Sequence, residues 1–362
     1  MKKINLSNRH IEALEPYMSA RRIGGKGEVW LNANELPFPR QSMSLDVSEY
    51  HRYPDEGPDL VQAAYAAYAG LQPDQVLALR GADEAIDLLL RAYCQSGTDG
   101  IIISSPTYGM YQVCANIQNA AVIDVPLTED YQLDVPAILA QEGIKLVFIC
   151  NPNNPTGNSF NCEDILTILR FFEGRALVVI DEAYIEFCPL ESLVSEMANF
   201  ENLVVVRTMS KAFGLAGVHV GYLLANETVM AIMRKVSAPY PLADPCAQIA
   251  LQSLNENATQ LMNKQVNQIS QIRDSFCEAL TDIPDVTNVV PSVTNFVLVF
   301  FTDNEATWDA LIEAGVVARG IPHSRLADAI PVSEKHLPLP TTYSRVISGA
   351  PVEQIVDIRH NN

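Results

Sequence analysis

The sequence has little positive charge. Its 362 residues carry 24 lysines and arginines against 43 aspartates and glutamates, which gives a formal net charge of -19 at pH 7. A surface this acidic repels both the phosphate backbone of nucleic acids and anionic lipid headgroups. The composition therefore argues against a nucleic-acid or membrane partner. Any anionic ligand must be held by a few local positive or hydrogen-bonding groups.

Paired cysteines and long apolar runs are also lacking. The seven cysteines are odd in number, are scattered and form no C-x-x-C pair, so we expect neither a disulfide framework nor a metal site. The N-terminal stretch MKKINLSNRHIEALEPY has no apolar core of the kind that signal peptides contain. No run approaches the roughly 20 apolar residues that a membrane span requires. We expect a cytoplasmic protein.

The sequence does contain a series of short apolar runs. Residues 145–150 (KLVFIC), 176–180 (ALVVI) and 202–207 (NLVVVR) are rich in valine, isoleucine and leucine without alternation, which is typical of strands buried on both faces. Helix-like segments such as 162–172 (CEDILTILRFF) lie between them. This alternation predicts an α/β domain with a mainly parallel sheet.

The C-terminal third predicts a smaller α+β unit. Residues 255–280 show one long helical pattern that can lead the chain away from the first domain. Beyond it we expect strands at 294–301, 316–319 and 343–348, a helix around 305–314, and a closing helix in PVEQIVDIRH.

Polar residues follow each of the three apolar runs, in NPNNPTG, DEAY and TMSK. Open α/β sheets bind their ligands at this carboxyl edge. Lys211, in the third segment, has two interpretations. It is either an ordinary loop lysine, which is the commoner case, or a partly desolvated amine that can condense with a carbonyl. The residues predicted to lie near Lys211 help to decide between these two interpretations.

Asp181, Asn154 and Tyr184 favour the second interpretation. A carboxylate at the end of an apolar strand gains nothing from packing, and pyridoxal phosphate (PLP) needs an anion opposite its ring nitrogen. The alternative for Asp181 is a helix N-cap. Asn154 and Tyr184 can bond the ring hydroxyl oxygen of this cofactor, although the proline- and glycine-containing turn around Asn154 also suits a loop without function.

Two further segments can be interpreted either as cofactor-binding or as purely structural. A helical pattern begins at Gly81, and helix N-termini bind phosphate through free N–H groups and the helix dipole. Asp83 and Glu84 in its first turn can instead be simple caps. Tyr108, in SPTYGMY, can stack on a cofactor ring or be a core tyrosine.

The motifs together resemble a known family. RGADEAIDLLLRA, PTYGMY, NPNNPTG, DEAYIEF and SKAFGLAG are similar to those of PLP-dependent aminotransferases of the aspartate-aminotransferase fold. EPYMSARRIGG, VWLNANELP and HRYPD narrow the resemblance to the class II histidinol-phosphate aminotransferases. The resemblance runs from about Tyr17 to Arg345, in the expected order. It implies an α/β fold with a large PLP-binding domain, built on a mainly parallel mixed sheet flanked by helices, and a smaller α+β domain.

The resemblance also implies domain limits and a homodimer. Residues 1–47 form an N-terminal arm that is part of the small domain, residues 48–247 the large domain, and residues 248–362 the small C-terminal domain. Tyr53, in HRYPD, reaches the cofactor phosphate of the neighbouring subunit.

The resemblance assigns roles around the cofactor. Lys211 is the catalytic lysine, which bonds covalently to PLP and later moves the proton at the substrate Cα. Asp181 pairs with the ring nitrogen, Asn154 and Tyr184 bond the ring oxygen, and Tyr108 stacks on the ring.

The resemblance also assigns the phosphate contacts. The backbone at Ala82 and Asp83, with the side chains of Thr208 and Ser210, holds the cofactor phosphate.

Tyr17, Arg319 and Arg345 match the family's contacts to the substrate phosphate. Both arginines are predicted to lie in or at the end of an apolar strand, where a guanidinium needs a partner, and its planar fork suits a phosphate or carboxylate. The alternative is a structural arginine–aspartate pair.

The chain departs from the family pattern at His219. Eight residues after the lysine, the family has an arginine that pairs with the cofactor phosphate. An imidazole offers fewer donors, but a nearby phosphate favours its charged form. Either His219 contacts the phosphate and makes cofactor affinity fall as pH rises, or the residue is merely tolerated.

The activity implied by the resemblance is transamination of L-histidinol phosphate with 2-oxoglutarate, giving imidazole-acetol phosphate and glutamate in histidine biosynthesis. An aromatic or broad-specificity aminotransferase and a threonine-phosphate decarboxylase are alternatives on the same scaffold. A non-catalytic PLP sensor fused to a DNA-binding module is disfavoured, because no helix-turn-helix pattern precedes residue 48 and the charge is acidic.

Overall fold

A computed structural model of the chain describes residues 6–19, 22, 27, 29–38, 43–54, 58–321 and 323–333. The strands in chain order are Val29–Trp30 (β1), Val76–Leu79 (β2), Gly100–Ile103 (β3), Ala121–Asp124 (β4), Ile144–Cys150 (β5), Leu177–Asp181 (β6), Leu203–Thr208 (β7), Gly221–Ala225 (β8), Val286–Val290 (β9), Phe296–Phe301 (β10), Val316–Val317 (β11) and Ala329–Ser333 (β12).

The α-helices in chain order are Arg9–Glu12 (α1), Asp59–Ala69 (α2), Gly81–Tyr93 (α3), Met110–Gln118 (α4), Val135–Leu139 (α5), Cys162–Phe172 (α6), Glu227–Val236 (α7), Asp244–Ser253 (α8), Glu256–Thr281 (α9) and Asn304–Glu313 (α10). Among these described helices, none is both long and apolar enough to cross a membrane.

The largest sheet has seven strands in the order β2-β8-β7-β6-β5-β3-β4. The pairs β3–β4, β3–β5, β5–β6 and β6–β7 are parallel, whereas β8 runs antiparallel to β7 and to β2. The predicted α/β fold with a mainly parallel, mixed sheet is therefore confirmed. The parallel strands β5, β6 and β7 end at the same edge of the sheet.

Both faces of this sheet are covered, as the unbroken apolar runs predict. Val178 and Ile180 of β6 pack into one core with α2, α6 and α9, whereas Val179 between them packs into a second core with α3, α4 and α7. Successive strand residues point to opposite faces, so each run must be apolar throughout.

A second unit contains the three-stranded antiparallel sheet β12-β10-β9. Its core includes Phe276 and Leu280 of α9 together with Val297 and Val299 of β10. The N-terminal arm joins it, because β1 pairs in parallel with β11 and Leu31 lies in the same core. The domain limits at residues 47 and 247 stay a prediction.

Two predicted strands of this unit are shorter than expected. Ser292 and Thr294 turn their hydroxyl groups onto the carbonyl of Phe296, so the strand predicted at 294–301 begins at Phe296. The strand predicted at 316–319 ends at Val317. The strand and helix predicted beyond residue 342 lie outside the described residues.

Candidate active site

Polar side chains meet where β5, β6 and β7 end. Asn154 follows β5, Asp181 is the last residue of β6, and Ser210 and Lys211 follow β7. The register pairs Cys150 of β5 with Asp181 of β6, so the ends of the strands are level. This is the edge at which open α/β sheets bind ligands.

The amine of Lys211 is held inside the protein. Its Nζ donates a 2.9 Å hydrogen bond to the backbone carbonyl of Ala33 in the N-terminal arm and lies 5.5 Å from the centroid of the Tyr184 ring. Burial lowers the pKa of Lys211 from 10.5 to about 8, although the negative charges of Glu35, Asp83 and Asp181 oppose the shift. A free amine is therefore accessible near neutral pH, as a nucleophile or proton carrier requires.

Asp181 is a buried carboxylate with a donor on each oxygen. Only 2% of the residue is exposed; Oδ2 accepts a 2.7 Å hydrogen bond from the Tyr111 hydroxyl and Oδ1 accepts one of 3.1 Å from the Ala183 N–H. Burial raises the pKa of Asp181 to about 6, and the two donors work against that rise. The alternative interpretation of Asp181 as a helix N-cap is wrong, because the 3-10 helix that follows begins at Ile185 with Tyr184 as its N-cap; Asp181 bonds the Ala183 N–H within the turn that follows β6.

The hydroxyl of Tyr184 accepts hydrogen bonds from two side-chain amide groups. Asn154 donates from Nδ2 at 3.2 Å and Asn34 donates from Nδ2 at 3.0 Å. The carbonyl of Asn34 in turn accepts a 3.0 Å bond from Asn295, which precedes β10. A ring-linked oxygen of a ligand placed here could accept hydrogen bonds from the Asn154 amide, which now donates to Tyr184, and from the Tyr184 hydroxyl.

The N-terminus of α3 lies beside the β7–β8 connection. A Cβ at Gly221 would overlap the backbone of Gly81 and Ala82, so only glycine allows this approach. Thr208 donates its hydroxyl to the Ser210 oxygen at 3.0 Å and accepts the Ser210 N–H at 3.1 Å. His219 sits at φ 57° with an exposed side chain, and its ring lies against Gly81. The N-terminus of a helix, hydroxyl groups and an imidazole therefore border one end of the site, which suits an anion.

Asp83 and Glu84, the two acidic residues in the first turn of α3, have different hydrogen-bond partners. Glu84 caps the helix by accepting the Arg80 N–H at 2.6 Å, as the capping interpretation predicts. Asp83 instead accepts a 2.9 Å hydrogen bond from the Tyr108 hydroxyl. The Tyr108 ring stands edge-on to Tyr111, with centroids 5.6 Å apart and an interplanar angle of 83°.

Arg319 and Tyr17 lie together on the side of the small unit. Nη2 of Arg319 is 3.4 Å from the Tyr17 hydroxyl, and within the described part of the chain this guanidinium forms no ion pair. Its positive charge is also one of the causes that lower the pKa of Lys211. Arg345 lies outside the described residues.

Tyr53 is apart from the other predicted site residues. It is 81% exposed and stacks on Tyr240, with ring centroids 4.8 Å apart. It contacts none of the groups around Lys211 that are described above.

The sequence patterns predict no role for Tyr111 or Asn34, although both contact site residues. The Tyr111 hydroxyl donates to Asp181, and the Asn34 amide donates to Tyr184, 150 positions further along the chain. Both residues lie within motifs that carry the family resemblance: Tyr111 is the second tyrosine of PTYGMY, and Asn34 is the second asparagine of VWLNANELP.

The chain belongs to the aminotransferase class I and II family, whose model matches residues 26–330. Among its curated relatives, the histidinol-phosphate aminotransferase of Aeromonas salmonicida (strain A449) is 48% identical over 318 residues, which cover 87% of this chain and 89% of the relative. That of Cronobacter sakazakii (strain ATCC BAA-894) is 45% identical over 315 residues, 87% of each chain. The resemblance predicted from the motifs is confirmed.

Solved structures share the fold. A histidinol-phosphate aminotransferase from Sinorhizobium meliloti, in complex with pyridoxal-5'-phosphate, superposes with a TM-score of 0.83 at 22% identity and covers 98% of both chains. An aspartate aminotransferase from Thermus thermophilus with maleate superposes with a TM-score of 0.74 at 21% identity, covering 95% of this chain and 98% of that one. The predicted aspartate-aminotransferase-like fold is confirmed.

Proposed function

We propose that the chain is a PLP-dependent aminotransferase that converts L-histidinol phosphate and 2-oxoglutarate to imidazole-acetol phosphate and glutamate, in histidine biosynthesis. The observation that carries the proposal is the convergence of Lys211, Asp181 and the Asn154–Tyr184 pair at one edge of the sheet. The family membership and the names of the curated relatives support the reaction and the substrate.

The residues present fit the groups of PLP. A buried amine with a lowered pKa suits the aldehyde, a buried carboxylate suits the ring nitrogen, and the phenol–amide pair suits the ring oxygen. The N-terminus of α3, with Thr208, Ser210 and His219 beside it, suits the phosphate. When bound, PLP supplies the electron sink that stabilises negative charge at the substrate Cα.

The protein's own groups supply the rest of the chemistry. Lys211 exchanges a proton at the substrate Cα, a role for which a pKa of about 8 is well placed near neutral pH. Ala33, whose carbonyl accepts a hydrogen bond from the amine, belongs to the arm, so the arm helps to hold the lysine in position. Tyr108 lies over Asp83 and Tyr111, where its ring can stack on a planar ligand.

Arg319 and Tyr17 are proposed to bind the phosphate of the substrate. In a chain of net charge -19, a half-buried guanidinium without an ion-pair partner among the described residues is a rare source of attraction for an anion. Its planar fork can donate two parallel hydrogen bonds to a phosphate or carboxylate. Arg345 is proposed to serve both the phosphate substrate and the carboxylate of glutamate.

We also propose a homodimer in the cytoplasm, with two active sites. The 81% exposure of Tyr53 and its stacking on Tyr240 present an aromatic surface outside its own site, which suits a contact with the cofactor phosphate of a second subunit. The arm at 1–47, the large domain at 48–247 and the small domain at 248–362 are the proposed units of each subunit.

The test is steady-state turnover of L-histidinol phosphate with 2-oxoglutarate, followed by glutamate formation. Wild type should turn over, and Lys211→Ala should lose transamination while still binding PLP without a covalent bond. Turnover in Lys211→Ala comparable to wild type would overturn the proposal. Lys235→Ala, which removes an exposed lysine from α7, is the matched control and should leave the rate unchanged.

A further inference from the structure

Asp181 is held by a tyrosine that none of the proposed roles uses. Tyr111, in the first turn of α4, is fully buried and donates its hydroxyl to Oδ2 of Asp181 at 2.7 Å. Its ring stacks on Phe148 of β5, with centroids 4.9 Å apart and planes 10° apart, and it meets the edge of Tyr108. The ring contacts fix the position of the hydroxyl to which the carboxylate is bonded.

Packing alone does not explain a tyrosine at this position. A phenylalanine would fill the same space between Phe148 and Tyr108 without bringing a hydroxyl into the core, where an unpaired hydroxyl is costly. The hydroxyl is paired here with a carboxylate, and hydrogen bonds to charged groups are the stronger kind.

Burial and nearby negative charges work against a charged Asp181. Burial disfavours the ionised form, and the negative charges of Asp83 and Glu182 do the same. The Tyr111 hydroxyl and the Ala183 N–H favour the ionised form through hydrogen bonds, and the positive charge of Lys211 also favours it. The other titratable groups that interact electrostatically with the carboxylate are Tyr108, Cys150 and Tyr184.

We propose that Tyr111 is a positioning residue that keeps the Asp181 carboxylate ionised and in a single orientation, ready to accept a hydrogen bond from the protonated ring nitrogen of the cofactor. Each carboxylate oxygen already accepts one donor, from Tyr111 or from Ala183, and each retains acceptor capacity for another. The inference rests on the proposed function, because it concerns the group that Asp181 faces.

The experiment compares two cofactors on the same protein. PLP and an analogue in which carbon replaces the ring nitrogen are titrated into apoprotein, and the ratio of their apparent dissociation constants is measured between about pH 5 and 8. The variants are wild type, Tyr111→Phe, Asp181→Asn and Tyr222→Phe. Tyr222 is the matched control, since its buried hydroxyl bonds the sulphur of Met209 instead of a carboxylate.

Wild type and Tyr222→Phe should prefer PLP over the analogue, and Asp181→Asn should lose that preference. In Tyr111→Phe the preference for PLP should be roughly 10- to 100-fold smaller than in wild type, which corresponds to the loss of a hydrogen bond to a charged group. Because removing a donor to the carboxylate favours the neutral acid, the preference should also disappear at a higher pH in Tyr111→Phe than in wild type as the pH is lowered.

The outcomes separate the inference from the function on which it rests. If Asp181→Asn keeps the full preference for PLP, Asp181 does not face the ring nitrogen and the proposed role of Asp181 fails. If Asp181→Asn loses the preference but Tyr111→Phe matches wild type in both ratio and pH midpoint, only the role of Tyr111 is wrong. Thermal unfolding of the four apoproteins checks that Tyr111→Phe is folded, and the ratio is read only for folded protein.

Discussion

The imidazole of His219 lies directly against Gly81 at the start of α3. A Cβ on Gly81 would stand 2.8 Å from Cε1 and 3.0 Å from Nδ1 of His219, so the ring occupies the space that any other residue at position 81 would need. Gly81 itself has φ +74°, which side-chain-bearing residues rarely adopt. The residue that departs from the family pattern thus borders the proposed phosphate site.

This contact leads to a prediction about cofactor affinity. His219→Arg should bind PLP more tightly than wild type, because a guanidinium offers more donors and stays charged. The advantage should grow as the pH rises between about pH 6 and 9, because a guanidinium keeps its charge over that range. The measurement is the apparent dissociation constant of PLP at each pH. His10→Arg, which adds the same charge near Ile117 of α4, is the control. Equal affinity and equal pH dependence for wild type and His219→Arg would show that His219 does not touch the phosphate.

Burying the Lys211 amine should cost stability in the apoprotein. Its pKa is about 8 when folded against 10.5 when exposed, so below about pH 8 the folded state carries the full penalty of a desolvated charge. Between these values the unfolded chain binds more protons than the folded one, so stability should rise with pH across that window. Lys211→Met should remove this rise of stability with pH. Although it loses the hydrogen bond to Ala33, it should raise the free energy of unfolding at pH 7 by on the order of 1–3 kcal/mol.

Urea denaturation of apoprotein at several pH values checks this. The exposed Lys235→Met is the control and should leave the pH profile of stability unchanged. A Lys211→Met profile parallel to wild type from pH 7 to about pH 10.5 would mean that the amine is not desolvated.

Arg319 should discriminate between the two substrates. Arg319→Ala should raise the KM for L-histidinol phosphate roughly 10- to 100-fold, the value of a charge-assisted hydrogen bond, and affect glutamate less. Arg345→Ala should weaken the binding of both substrates.

The double variant Tyr17→Phe/Arg319→Ala should lose less binding free energy for L-histidinol phosphate than the sum of the two single variants, because the two side chains contact each other. Steady-state kinetics with both amino donors measures these effects, with Arg170→Ala, an exposed partner of Glu163, as the control. Small and equal losses for both donors would identify Arg319 as a structural arginine.

The role of Tyr53 can be tested by mixing subunits. If Tyr53 serves the neighbouring site, a dimer of one Tyr53→Ala subunit and one Lys211→Ala subunit contains one site with both native residues. Random exchange should then restore intact sites to about a quarter of the total. Activity and PLP affinity of the mixture, compared with each variant alone, measure the recovery. Recovery should be absent if Tyr53 acts within its own subunit.

The strand ends of the site could be predicted because their signal is local. Polar residues that follow unbroken apolar runs, directly for Asp181 and four positions on for Lys211, mark both as candidates, and the level ends of parallel strands explain why such residues meet. Tyr111 gave no such signal, since only the three-dimensional contact with Asp181 distinguishes it from a core tyrosine. Asn34 depends on a contact across 150 positions, which no local pattern encodes.

The central claim is that Lys211 and its neighbours serve amino transfer from a phosphate-bearing substrate. The most direct measurement is a single-turnover half-reaction, in which the PLP form is mixed with one amino donor and the loss of its visible absorbance band is followed. The account predicts that L-histidinol phosphate discharges the band faster than phenylalanine or histidinol does, and that Lys211→Ala shows no such change. Equal rates for the three donors would contradict the substrate assignment, and an unchanged band with all of them would contradict the transaminase itself.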